Sequence, residues 1–158
     1  MTSSTNFKPL GEAPRDIEQI IAQERASQLP VWNSSIAYRL GTALYNRLIT
    51  FPSSSPACIH ISTVSTPPHV LYHTVTHSGT ELDNDYWIMR KRNAVIRFGA
   101  STWRLHVKNQ GNEEEFAKKG VEWPVGVVVV SGLKQWDDHM VVIEELAGIC
   151  KALEAEGN

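Results

Sequence analysis

The stretch CIHISTVSTPPHVLYHTVTH, Cys58 to His77, decides the fold class. Ile59, Ile61 and Thr63 alternate against Cys58, His60 and Ser62, which is the two-residue period of a strand. Thr66-Pro67-Pro68 then turns the chain, and His69 to His77 reads as a second strand. Strands joined by so short a link pair antiparallel, because parallel neighbours need a crossover of about a dozen residues or more. On the N-terminal side, Ile17, Ile20, Ile21 and Glu24 fall at helical spacing behind Pro14, predicting a helix from about Arg15 to Gln28 that Leu29-Pro30 ends. Asn33 or Ser34 can cap a second helix, whose apolar stripe is Ile36, Leu40, Ala43, Leu44 and Leu48.

On the C-terminal side, Thr80 and Asp83 have the capping-box form and open a third helix ending at Gly99. Thr102 to Lys108 alternates Trp103, Leu105 and Val107 against Arg104 and His106, the pattern of a half-buried strand. Gln110 to Gly120 is polar and acidic, a loop or short helix, while Val125 to Val130 is apolar on both faces, as a central strand would be. Asp137 or Asp138 opens a last helix along Val141, Leu146, Ile149, Cys150 and Leu153. The expected order is ααββαββα, with at least four strands in an antiparallel or mixed sheet flanked by helices: an α+β domain. With no βαβα alternation, no Gly-rich phosphate loop and no internal repeat, a doubly wound nucleotide fold is not expected.

The 158 residues suit one domain, residues 14–155, behind a loose Ser/Thr/Gly/Pro-rich tail at residues 1–13. The formal net charge of −2 does not predict sequence-independent binding to nucleic acid or an anionic membrane. Cys58 and Cys150, far apart in a chain whose MTSSTNFKPLGEAP start lacks an apolar core, are expected as reduced thiols in a cytoplasmic protein. No apolar run approaches the roughly 18 residues that span a bilayer.

Three groups of residues invite a chemical reading. His69, His73 and His77 share one strand face, but each step of four covers about 13 Å at roughly 3.3 Å per residue. Ligands of one ion lie about 2.1 Å from it, so these three cannot share a metal, and no metal set is expected. One of them can contribute only if His60 or His106 joins it from a neighbouring strand. In LDNDYWIMRKRNAVIRFG, Leu82 to Gly99, Asp83 and Asp85 complement the helix dipole at its start and Arg97 at its end. Arg90, Lys91 and Arg92 cover most of one turn, so at least one of them faces the Trp87–Ala94–Val95–Phe98 side and needs a negative partner. That partner is Asp137 or Asp138, an acid of another subunit, or an anionic ligand. In SGLKQWDDH, Ser131 to His139, a tight turn at Gly132 leads through Lys134 and Gln135 into a helix start carrying Asp138 and His139. Neither a nucleophile elbow nor a catalytic dyad is present, so no catalytic residue is assigned.

These two runs, with ITFPSSSPACIHI and HVLYHTVTHSG before them, resemble the haem-degrading-domain family (GlcG/HbpS-like), in particular its branch of small cytosolic proteins. The resemblance covers roughly Ile17 to Leu153. It implies a profilin-like antiparallel sheet flanked by helices and assembly into dimers or larger homo-oligomers. Related domains bind haem, and some have been credited with degrading it; others are appended to cobalamin adenosyltransferases, whose ATP site has no counterpart here. The family's Gly-Gly-x-Pro-[Ile/Leu] strand is also absent where FAKKG runs straight into VEWPVGVVVVSG.

The leading expectation is therefore a small-molecule-binding domain, with haem or another tetrapyrrole as its ligand, acting as a homo-oligomer. Haem propionates call for Arg or Lys and its ring for apolar and aromatic contact. Asp83, Asn84, Trp87, Arg90, Lys91, Arg97, Lys134, Gln135, Asp138 and His139 are the ligand-binding or interface candidates, and His139 is the best-placed imidazole for an iron. The alternative is a non-enzymatic oligomeric protein whose charged motifs serve subunit assembly, with tryptophans as anchors. An unrelated enzyme is the weakest reading.

Overall fold

The computed structural model describes residues 6–109 and 125–157. Its elements run α1 (Ile17–Ala26), α2 (Ser34–Leu48), β1 (Cys58–Thr63), β2 (Val70–Val75), α3 (Asn84–Phe98), α4 (Thr102–Asn109), β3 (Gly126–Ser131) and α5 (Gln135–Glu156). The fold is α+β: a three-stranded antiparallel sheet in the order β2-β1-β3, with helices on both faces. The register pairs His60 with His73 and Cys58 with Val75 on one side of β1, and Ile59 with Val130 and Ile61 with Val128 on the other.

Period two on β1 sorts its residues between two different interiors. Ile59 and Ile61 join Leu40, Leu44 and Leu48 of α2 and Val141 and Ile149 of α5 in the main core. Cys58 faces the opposite way, into a smaller cluster with Val127 and Val129 of β3 and Ile88 of α3. Side chains cap the starts of α1 and α2. Asp16 accepts from Gln19 N at 3.1 Å, and Asn33 accepts from Ile36 N at 2.9 Å. Gly99 closes α3 in the left-handed region (φ 59°).

Four expectations are corrected. Thr102 to Lys108 is helix α4, not a strand, so the order is ααββααβα, with three strands among the described residues. Trp103 and Val107 stand four apart and pack on Ile20 and Met140, while Ser101 Oγ caps the turn by accepting from Arg104 N at 3.1 Å. Over so few residues, a four-residue spacing also satisfies alternation, and the cap decides between them. Second, the central strand is β1; β3 lies at the edge of the described sheet. It is apolar on both faces because α3 covers one and α5 the other. Third, the Thr80–Asp83 capping box is not formed: Thr80 Oγ1 donates to His77 O, and Asp83 Oδ2 accepts from Trp87 Nε1. Fourth, the last helix opens at Gln135 rather than at Asp137 or Asp138.

Residues 6–13 of the expected tail lie against the helices. Arg47 donates to the carbonyls of Lys8 and Pro9, and Gly11 N donates to Glu144 Oε2. The predicted Gln110–Gly120 loop and the FAKKG junction fall outside the described residues. No described helix is long and apolar enough to cross a membrane.

Candidate functional site

The Ser131–Gln135 turn and the first half of α3 line a groove of about 850 Å³, together with Ser54 and Pro56. Gly132 makes the turn possible. At φ 132° it lies where L side chains are rarely found, and a Cβ there would run into the Pro56 carbonyl. Seven of the ten sequence candidates line this groove: Asp83, Asn84, Trp87, Arg90, Lys91, Gln135 and Asp138.

Its floor is a buried ion pair. Lys91 Nζ donates to Asp138 Oδ2 at 2.7 Å and to the Val130 carbonyl at 2.9 Å, and Asp138 Oδ1 accepts from Leu133 N at 3.0 Å. This intrachain acid answers the question of which negative group Lys91 meets. Burial pushes the Asp138 carboxyl up to about 6, with the Lys91 ammonium and the Leu133 amide opposing that rise. Arg92 is also buried, but donates to neutral oxygens: Ser62 Oγ at 2.9 Å and Thr63 O at 2.6 Å.

Arg90 stands at the rim with its guanidinium 5.0 Å from the Trp87 ring centre and 5.6 Å from that of Tyr86. Among the described residues it has no carboxylate partner. The groove therefore presents an exposed cation beside an exposed indole, over a floor whose own charges are already matched.

Three candidates lie elsewhere. Arg97 sits over the Phe98 ring and Lys134 over the Trp136 ring, both away from the groove lining. His139 is buried, with Nε2 3.1 Å from Gln23 Oε1, and burial pushes its imidazole down to about 4. It is a neutral core histidine on the wall of a second cavity of about 250 Å³ beside β3. Lys91 and Asp138 line both cavities and stand between them. Sequence reasoning missed Ser54, Pro56, Thr80, Ala94 and Thr102 in the groove lining. These come from separate loops and helices, and the local signals at Thr80 (a capping box) and Ala94 (an apolar stripe) spoke of helix structure and not of a groove.

The groove residues offer a flat anionic ligand the Trp87 ring and one cation unmatched among the described residues, Arg90. Lys91 is paired with Asp138, and the exposed Glu81 and Asp83 in the lining are themselves acidic. The groove residues do not fit an iron, because no His, Cys, Met or Tyr is among them.

Comparison with known proteins agrees with this architecture. A family model described as "Haem degrading protein HbpS-like" matches residues 33–147. A UPF0303 protein of Psychromonas ingrahamii is 31% identical over 87% of this chain and 95% of its own length. The UPF0303 protein YBR137W of Saccharomyces cerevisiae is 29% identical over 90% of this chain and 89% of its own. The crystal structure of the Ybr137w protein superposes with a TM-score of 0.73 at 30% identity, covering 85% of this chain and 88% of that one. The chain belongs to the HbpS-like haem-degrading-protein family.

Proposed function

We propose that the protein is a small-molecule-binding domain whose groove takes a planar, anionic ligand of the tetrapyrrole class. The observation that carries this reading is Arg90. It is a guanidinium without an acid partner among the described residues, held beside the Trp87 indole at the mouth of a groove with a neutralised floor. A propionate would find a charge-assisted donor there, and a ring would find an aromatic face. Family membership supports the haem-related direction. With no strong iron ligand in the groove, binding rests on the carboxylates and the ring. No turnover is assigned.

The test is a titration with hemin and, separately, with metal-free protoporphyrin IX. Both are expected to show a shifted Soret band, and Arg90→Ala is expected to weaken both about equally. A free-ligand spectrum that stays unchanged at micromolar protein contradicts the proposal.

Homo-oligomeric assembly is a second reading, favoured by the outer side of α3. Leu82 is fully exposed, and Tyr86 and Met89 are exposed close by. Light scattering checks it: an oligomer dispersed by Leu82→Glu with Tyr86→Glu supports it, and a strict monomer removes it.

A further inference from the structure

We propose that Cys58, His73 and Asp85 form a site for one borderline-soft divalent cation of the zinc class, on the α3 face of the β1–β2 hairpin. Each offers one donor atom, and these three atoms lie within 4.8 Å of one another. Along one strand no such set exists; it arises because three elements meet. Cys58 pairs with Val75 and His60 with His73, so Cys58 and His73 are diagonal neighbours on one face. The first turn of α3 then carries Asp85 over them, with Oδ1 3.8 Å from His73 Nε2.

The donors are graded from interior to solvent. The Cys58 side chain is fully buried, that of His73 is 42% exposed, and that of Asp85 is 83% exposed. An ion can enter past the carboxylate and seat on the sulfur. Thiolate, imidazole and carboxylate together suit zinc, which brings such donors to about 2.0–2.3 Å and leaves a fourth, solvent-facing position. Asp85, the most exposed of the three, has the freedom to close the remaining distance.

A second observation points to the same place. His60 Nδ1 lies 3.1 Å from His73 Nδ1, where it can take the proton that a ligating imidazole carries on its other nitrogen. His60 is 6% exposed, and its Nε2 has no hydrogen-bond partner among the described residues. Its use is to hold the His73 ring, which makes it a positioning residue.

Binding breaks the Cys58 S–H bond, forms a sulfur–metal bond and releases the proton to solvent. Affinity therefore rises with pH.

The test is a titration of the full chain with Co²⁺, followed by competition with Zn²⁺. The expected result is one equivalent bound, with a near-ultraviolet thiolate-to-cobalt band that Zn²⁺ erases. Asp85→Asn, at an exposed position, keeps the fold and is expected to weaken binding about tenfold or more, as is His73→Gln. Cys58→Ser is expected to abolish the band, and His69→Gln, on the same hairpin, to leave it unchanged. Absence of the band in the wild type overturns the site. So does a band equally strong in Asp85→Asn and His73→Gln, which would mean cobalt on a single thiol.

Discussion

The two faces of the sheet are built from alternate residues of the same strand, yet they are opposite in kind. Toward α2 and α5, β1 presents Ile59 and Ile61 to an apolar interior containing Leu40, Leu44, Leu48, Val130 and Val141. Toward α3 it presents Cys58, His60 and Ser62, and these meet His73, Arg92 and Asp85 besides valines and Ile88. The first face obtains its stability from apolar burial, at roughly 25 cal/mol per Å² removed from water. The second accepts buried polar groups, each of which costs free energy unless it is paired. Stability and chemistry are thus divided by strand parity, and the groove opens on the α3 side.

The sharpest way to break this division is at the groove floor. Asp138→Ala leaves the Lys91 ammonium buried without its acid and is expected to cost about 3–5 kcal/mol in chemical denaturation. A loss under about 1 kcal/mol would mean that the pair is solvated. On the apolar face, Leu44→Ala should cost about 2–5 kcal/mol and leave tetrapyrrole binding unaltered in the folded fraction. If it instead abolishes binding, the two faces are not separable.

A subtler contrast lies in proton linkage. The Asp138 carboxyl is raised to about 6, so the folded state holds its proton more tightly than the unfolded chain does, and this group's contribution falls as pH rises from about 4 to 6. The His139 imidazole is lowered to about 4, so the folded state holds its proton less tightly, and this group's contribution grows as pH rises from about 4 to 6.5. Each amounts to on the order of 3 kcal/mol, and they oppose one another. Measured between pH 4 and 7, wild-type stability should change little through these two groups. Asp138→Asn should become more stable with rising pH relative to wild type, and His139→Gln less stable. Parallel profiles for all three proteins would refute the linkage. The smallest expected effect is local: Ser101→Ala removes the α4 cap and should cost about 1 kcal/mol.

What the sequence made legible was whatever is local in the chain. The hairpin period in Cys58–His77, the cap at Asn33 and the Gly99 terminus all depend on neighbours within a few residues. α4 was misread because seven residues hold too few turns to separate a period of two from Trp103–Val107 spacing. Lys91 and Asp138 were legible as candidates, since a cation near an apolar stripe needs an acid, but their pairing was one of several options. The position of His139 was not legible. Nothing within the motif says that position 139 turns toward Gln23 on α1 while position 138 turns toward α3. The Cys58–His73–Asp85 grouping was hidden for the same reason, since it needs the β1–β2 register and the approach of α3 together.

The central claim is that a planar anionic ligand lies against Trp87 and Arg90 on the α3 side of the sheet. The most direct measurement follows the tryptophan indole N–H signals by nuclear magnetic resonance while metal-free protoporphyrin IX is added. The account predicts a large, saturable shift of the Trp87 Nε1–H and little change at Trp32, which packs on the main core, or at Trp103, whose Nε1 donates to the Pro14 carbonyl. A ligand that saturates while the Trp87 signal stays in place and the Trp32 signal moves would contradict it.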